Sequence, residues 1–130
     1  MTPTFSGLHF WTRDINATVA FYRAVGFEID EPFEGEFVRL TLPGGAELAF
    51  GTYGLTERYD PAFTPPAPGG KSAAIVQFHV ESRSAVDEMH ARLAGLGYGV
   101  HLAPIDAFWG ARYCESTDPD GNVVGFHGRD

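Results

Sequence analysis

The chain has 130 residues, of which 44% are hydrophobic, so it is long enough to bury the core of one compact domain. Seventeen acidic against nine basic side chains give a formal net charge of −8, which opposes general binding to nucleic-acid phosphates and favours a cationic ligand. The sequence has no signal-peptide pattern, no apolar run of the roughly 20 residues that span a membrane, and only one cysteine, so we expect a cytoplasmic protein that neither enters a membrane nor forms an intrachain disulfide.

The first half of the chain predicts a strand, a helix and three further strands. Apolar residues alternate with other types from residue 7 to residue 12, which is the period of a half-buried strand. Asp14 is a favourable N-cap for a helix over residues 15–25, and Gly26 stands where helices commonly end. Three strands are predicted after this helix, at residues 27–29, 37–42 and 46–50.

Residues 54–72 differ from the rest because proline and glycine crowd into a segment with little periodicity. We predict a linker or a covering loop there. The earlier pattern then restarts with a strand at residues 75–80 and a helix that Ser82 or Ser84 can cap. The apolar stripe of that helix is Val86, Met89, Leu93 and Leu96. The remaining strands are predicted to begin near residues 97 and 109 and, after a tight turn, within residues 118–127.

An internal repeat supports this division. Residues 10–14 match residues 78–82, and residues 45–50 match residues 121–126. The chain is therefore predicted to be one α+β domain over residues 1–130, built from a βαβββ unit used twice. Module one is placed at residues 4–53, the Pro/Gly-rich linker at 54–72 and module two at 73–128. Each module has one helix to cover one sheet face, which leaves the other face free to be concave.

The motifs on this pattern carry a family resemblance. They are Asp14 followed by Phe21-Tyr22 and Gly26-Phe27, the Asp-Pro-Asp-Gly-Asn turn at 118–122, and the Trp-Gly-x-Arg segment at 109–112. Together they resemble the vicinal oxygen chelate superfamily, which includes glyoxalase I, extradiol dioxygenases, fosfomycin-resistance enzymes and bleomycin-resistance proteins. The resemblance runs from about residue 5 to residue 127. It implies two βαβββ modules that form a curved mixed sheet around a cleft, and commonly a homodimer, sometimes with modules exchanged through the linker.

The resemblance also implies where a metal would be held. In enzymatic members, ligands for a divalent metal stand early on the first strand and within the fourth strand of each module. By register these positions are Gly7, Ile75, Ala49 and Gly125 in this chain. None of these side chains can coordinate a metal, which needs carboxylate or imidazole ligands. We therefore predict neither metal nor cofactor, and we place the chain nearest to the metal-free bleomycin-resistance-type members.

Strand alternation predicts which side chains face the cleft. On the first strand Leu8, Phe10 and Thr12 are expected to pack under the helix, so the residues between them face the cleft. In bleomycin-resistance-like members a Trp-Gly segment comparable to that at residues 109–110 lies near the ligand groove. The predicted ligand-binding residues are His9, Trp11, Glu47, Gln77, His79, Phe108, Trp109, Tyr113, Glu115 and His127.

Three functions are compatible with this face. The first is a binding protein that sequesters a small organic ligand, such as a cationic aromatic antibiotic, by stacking on Trp11, Phe108 and Trp109, with Glu47 and Glu115 supplying charge. The second is a metal-dependent lyase, isomerase or dioxygenase whose ligands are displaced to His9, His79, His127 and Glu47. The third is a metal-free enzyme with His9 or His79 as general base.

We assign no catalytic residue from the sequence and favour the binding protein. Cys114 is predicted to be buried on the helix side of its strand. His90 and His101 are given no function.

Overall fold

The computed structural model describes residues 1–67 and 73–130, so residues 68–72 of the predicted linker lie outside the described part. The chain forms two compact units, unit 1 over Met1–Pro66 and unit 2 over Ala67–Asp130. Each unit combines a mixed β-sheet with helix, two helices in the described part of unit 1 and one in that of unit 2, which confirms the α+β class. No helix in the described part is long and apolar enough to cross a membrane.

Unit 1 contains a three-stranded sheet and two helices. The strands are β1 (Gly7–Thr12), β2 (Phe37–Thr41) and β3 (Glu47–Thr52), in the spatial order β1-β3-β2. β3 is parallel to β1 and antiparallel to β2. The helices are α1 (Ile15–Val25) and α2 (Tyr53–Tyr59).

The bounds of α1 are those that the sequence predicts. The Asp14 side chain accepts hydrogen bonds from the backbone amides of Asn16 and Ala17, and Gly26 ends the helix with φ at 128°. The buried face of α1 packs the ring of Tyr22 4.6 Å from that of Phe50, and Phe50 stacks on Phe10 across the parallel strands at 5.7 Å. These rings form the core of unit 1 with Val19 and Leu48, which are 1% exposed.

Three predictions for unit 1 are wrong. Residues 27–29 form no strand, and the Ile29 carbonyl accepts a hydrogen bond from the Arg23 side chain, as does the carbonyl of the following Asp30. Unit 1 is thus βαββ followed by α2, and α2 lies in a segment for which no helix is predicted. It begins after Thr52, whose side chain accepts from the amide of Leu55. Leu8, expected under the helix, is 48% exposed.

Unit 2 has the predicted βαβββ order. Its strands are β4 (Ile75–His79), β5 (Gly99–Asp106), β6 (Arg112–Thr117) and β7 (Val123–Gly128), arranged β4-β7-β6-β5. The helix α3 (Arg83–Gly95) is capped by Ser82, which accepts from the amide of Ala85. Val86 and Leu93 of its apolar stripe are buried, but Leu96 lies beyond the helix end and is 61% exposed, contrary to prediction.

The internal repeat is visible in the strand pairing. β4 runs parallel to β7 and aligns Phe78 with Phe126, as β1 and β3 align Phe10 with Phe50. The second ring pair is stacked at 5.9 Å. The turn before β7 is also as predicted, since the buried Asp118 side chain accepts hydrogen bonds from the amides of Asp120 and Asn122 and from the Asn122 side chain. Burial nevertheless raises the pKa of the Asp118 carboxyl.

Candidate functional site

One face of the unit 2 sheet carries five of the ten predicted ligand-binding residues. Cys114 Sγ lies 3.9 Å from the Val86 carbonyl on α3, so its side chain faces the helix and is buried, as predicted. Burial raises the pKa of this thiol to about 11. Because side chains alternate along a strand, the neighbouring Tyr113 and Glu115 point away from α3. We call this second face the open face of unit 2.

The open face is organised in rows across three adjacent strands. Gly125 on β7 is the direct partner of Gln77 on β4 and of Glu115 on β6. In the next row His127 is the partner of His79 and of Tyr113. Register therefore places five of the ten predicted ligand-binding side chains in two neighbouring rows.

Tyr113 is paired with His127 in the strand register, but its ring lies over Gly125 in the neighbouring row. Its hydroxyl donates a hydrogen bond of 2.6 Å to Glu115 Oε2 and accepts one of 3.4 Å from Gln77 Nε2. A methyl group added at Gly125 would stand 2.6 Å from the Tyr113 oxygen, so only glycine leaves room for the phenol. Burial, and then the hydrogen bond to Glu115, raise the pKa of Tyr113 to about 12, and the phenol is therefore protonated at neutral pH.

Glu115 is a buried carboxylate with a partner that sequence reasoning missed. Its side chain is the acceptor for Tyr113 through Oε2, while Oε1 lies 3.8 Å from His101 Nε2 on β5. The pairing of β5 with β6 shifts between Val100 and Leu102, and His101 is the extra residue at this irregularity. Simple alternation cannot place a bulged residue, and the sequence carries no clear signal for this one.

Aromatic rings extend the open face toward the loop between β5 and β6. Trp109 meets Tyr113 edge-on at 5.5 Å and Phe108 at 5.1 Å, and Phe108 is 98% exposed at the loop tip. The loop is held by a hydrogen bond from Ala107 to the Ala111 carbonyl, and Arg129 donates to the Trp109 carbonyl. Trp109 thus packs on the strand end and still leaves 43% of its surface exposed.

The two histidines of the open face are in contact. The rings of His79 and His127 lie 4.0 Å apart and are tilted by 36°. Burial lowers the pKa of His127, and the nearby His79 and Arg129 lower it further. His127 therefore favours its neutral form, in which one ring nitrogen can accept a hydrogen bond.

Unit 1 contains the other three predicted residues, which it does not bring into one cluster. His9 meets Phe37 edge-on at 5.2 Å, and Glu47 forms an ion pair of 2.9 Å with Arg39. Trp11 packs 5.1 Å from Phe63, whose ring also contacts Tyr53 of α2. Neither ring is among the predicted ligand-binding residues: Phe63 lies in the predicted linker, and Tyr53 is the last residue of predicted module one.

Comparison with known proteins settles the family. The protein-family model described as "Glyoxalase/Bleomycin resistance protein/Dioxygenase superfamily" matches residues 5–126. The chain belongs to this superfamily. This confirms the resemblance to the vicinal oxygen chelate group.

Solved structures of the superfamily share the fold at low sequence identity. A glyoxalase-related enzyme from Fulvimarina pelagi is 17% identical with a TM-score of 0.79, over 98% of this chain and 89% of that one. A lactoylglutathione lyase from Agrobacterium tumefaciens is 22% identical with a TM-score of 0.68, over 98% and 94%. A fosfomycin resistance protein from Mesorhizobium loti is 17% identical with a TM-score of 0.67, over 100% and 95%. No curated protein matches the chain.

The residues at the four positions that the family resemblance predicts for metal ligands do not fit a metal. Ile75 and Ala49 have no donor atoms. A side chain at Gly7 would clash with the Glu47 carbonyl oxygen, and at Gly125 it would collide with the Tyr113 phenol. Within the described residues, no group of three or more His, Cys, Asp and Glu side chains is arranged to hold a metal ion.

Proposed function

We propose that the protein is a small-molecule-binding member of the superfamily that lacks the metal centre and whose ligand contacts the open face of unit 2. The observation that carries this proposal is the Tyr113 phenol, fixed over Gly125 between Gln77 and Glu115. Binding sites for small organic molecules combine aromatic surface with a few fixed polar groups. The open face has both, since Trp109 is 43% exposed and supplies ring surface, while the buried Tyr113 phenol holds a carboxylate beside it.

The proposed ligand is a planar aromatic cation. Glu115 is the carboxylate that favours it, whereas Glu47 in unit 1 is already paired with Arg39. Stacking of a cation on an exposed ring such as Trp109 contributes about 0.5–2 kcal/mol. The net charge of −8 adds long-range attraction of the same sign.

The biological role that follows is sequestration of a cationic aromatic antibiotic by a cytoplasmic homodimer. The family resemblance supports the resistance role and the dimer. The single cysteine is compatible with a reducing compartment, and the acidic composition is compatible with a soluble protein. Light scattering of the purified protein tests the dimer, and a mass of 14.1 kDa would contradict it.

Proflavine, a planar aromatic cation, provides the test of binding. The chain has two tryptophans, so Trp11→Phe leaves Trp109 as the only strongly emitting residue. We expect proflavine to quench the emission of this variant. Trp109→Ala should lower proflavine affinity about 5- to 10-fold, because the lost cation–aromatic contact is worth about 1 kcal/mol or slightly more. Tyr59→Ala, which removes an exposed ring outside the proposed site, is the control. If Trp109 emission does not change up to the highest proflavine concentration tested, the proposal is contradicted.

The metal-dependent alternative has one supporting observation, the His79–His127 contact at 4.0 Å. Two imidazoles on neighbouring strands provide two ligands, and a lyase, isomerase or dioxygenase site needs more. Metal analysis of protein purified without chelator separates the two functions. We expect less than about a tenth of an equivalent of Zn, Ni, Mn or Fe, because sites of this kind bind tightly enough to retain their metal.

A further inference from the structure

The two oxygens of Glu115 have different surroundings. Oε2 accepts the Tyr113 hydroxyl, which fixes the rotamer of the carboxylate. Oε1 faces His101 Nε2 at 3.8 Å, a distance too long for a hydrogen bond. An ionised carboxylate has about four acceptor positions. Oε1 therefore has capacity for a further donor.

The arginines near this sheet form their contacts elsewhere. Arg112 pairs with Asp87 at 3.0 Å and with Asp106 at 3.2 Å, and Arg83 also binds Asp106. Arg129 donates to the carbonyl of Trp109. In the described part of unit 2, Glu115 is thus held by a phenol and approached by a histidine. Glu115 is 8% exposed, and a buried carboxylate whose neighbours are a phenol and an imidazole favours a strong hydrogen-bond donor from outside the chain.

We infer that the ligand carries a cationic nitrogen with N–H donors, an amidinium or a primary ammonium, which binds Glu115 Oε1 while the aromatic body lies against Trp109. Tyr113 is the positioning residue that turns Oε1 toward this nitrogen. The inference rests on the proposed function and narrows its ligand class. A quaternary ammonium has the same charge but no N–H, so it can use only the ring surfaces.

Isothermal titration with three probes separates these features. Benzamidine has an aromatic ring and N–H donors on a cation, phenyltrimethylammonium has the ring and the charge, and benzamide has the ring without the charge. On the wild-type protein we expect benzamidine to bind about tenfold more tightly than phenyltrimethylammonium, since charge-assisted hydrogen bonds are the strong ones. Benzamide should bind more weakly than benzamidine by a similar factor.

Variants of the carboxylate and the phenol locate the effect. Glu115→Gln should remove the preference for benzamidine over phenyltrimethylammonium. Glu88→Gln, a matched change of an exposed carboxylate on α3, should keep the preference. Tyr113→Phe retains the ring but frees the carboxylate, so it should reduce the preference while phenyltrimethylammonium affinity is unchanged. A purely structural role of Tyr113 would weaken both probes equally.

The outcomes distinguish this inference from the proposed function. Equal affinity of the two cations for wild-type protein overturns the inference, as does a preference that persists in Glu115→Gln. If proflavine binds but benzamidine does not, the inference is also wrong and the proposed function stands. If neither proflavine nor any probe binds, both fail.

Discussion

The packing of Tyr113 over Gly125 predicts that a single methyl group at position 125 disrupts the open face of unit 2. In Gly125→Ala the added carbon would lie 2.6 Å from the Tyr113 oxygen and 3.1 and 3.2 Å from two ring carbons. Comfortable carbon contacts are about 3.5–4.0 Å, so the ring has to move by roughly 1 Å. That displacement breaks or weakens the hydrogen bond to Glu115.

The expected cost can be assembled from its parts. Overpacking a filled site costs about 1–3 kcal/mol. Losing a hydrogen bond to a charged group costs about 1.5–3 kcal/mol. Replacing glycine by alanine in a strand returns about 0.5–1 kcal/mol through the unfolded chain. We therefore expect Gly125→Ala to lower the free energy of unfolding by about 2–5 kcal/mol.

Urea unfolding followed by tryptophan emission measures this change, and two further variants give it meaning. Gly95→Ala is the matched control, because a methyl there meets nothing within 4 Å, and it should be neutral or stabilising. Tyr113→Phe removes the oxygen that the methyl meets first. In the Tyr113→Phe background, Gly125→Ala should lower the free energy of unfolding by about 1–2 kcal/mol less than it does in wild type. A difference of this size is expected for two residues in contact. A neutral Gly125→Ala, or costs that add within about 0.5 kcal/mol, would refute this packing.

Three further predictions concern titration and the turn before β7. The pKa of Cys114 at about 11 instead of 9 leaves about 100-fold less thiolate at pH 8, so native protein should react with a disulfide reagent at least that much more slowly than unfolded protein. In an NMR titration the pKa of His127 should lie below its ordinary value, and His79→Asn should raise it by removing a neighbouring positive charge; no change would contradict the contact. Asp118→Ala removes the acceptor for three hydrogen bonds and should cost about 2–4 kcal/mol in urea unfolding, and a cost below about 1 kcal/mol would contradict the role of the buried carboxylate.

The sequence predicted a helix or strand correctly where the cap residues at both ends and the apolar periodicity between them were all present. α1 has its N-cap at Asp14 and its C-terminal glycine at Gly26, and its observed bounds are the predicted ones. Residues 27–29 have only two apolar positions, and the carbonyl of Ile29 accepts a hydrogen bond from the Arg23 side chain. α2 has a threonine cap but follows β3 directly, within a segment whose prolines and glycines dominate the composition.

For the candidate site, the alternation of side chains along a single strand predicted which residues share a face of the sheet, and nothing more. Parity placed Tyr113 and Glu115 on one face of β6, and that part follows from the sequence. The hydrogen bonds among Gln77, Tyr113 and Glu115 depend on the register of three strands, which alternation alone does not fix. His101 was missed for the related reason that it occupies an irregularity in the β5–β6 pairing.

The structure gives a physical reason for glycine at one of the four predicted metal-ligand positions. From the sequence, Gly125 is only a residue that cannot bind a metal. In the structure it is the space that the Tyr113 ring occupies, so a carboxylate at 125 and a phenol at 113 exclude each other. The polar group above the centre of this sheet is thus supplied by β6 instead of β7.

Amide chemical-shift mapping with proflavine tests the central claim most directly. Ligand binding on the open face predicts the largest shifts at Gln77, Tyr113, Glu115 and His127, with loss of these shifts in Glu115→Gln. Largest shifts along the groove that α3 forms with the residues after β4, lined by Val80, Ala85 and Met89, would place the ligand away from the open face and contradict the account.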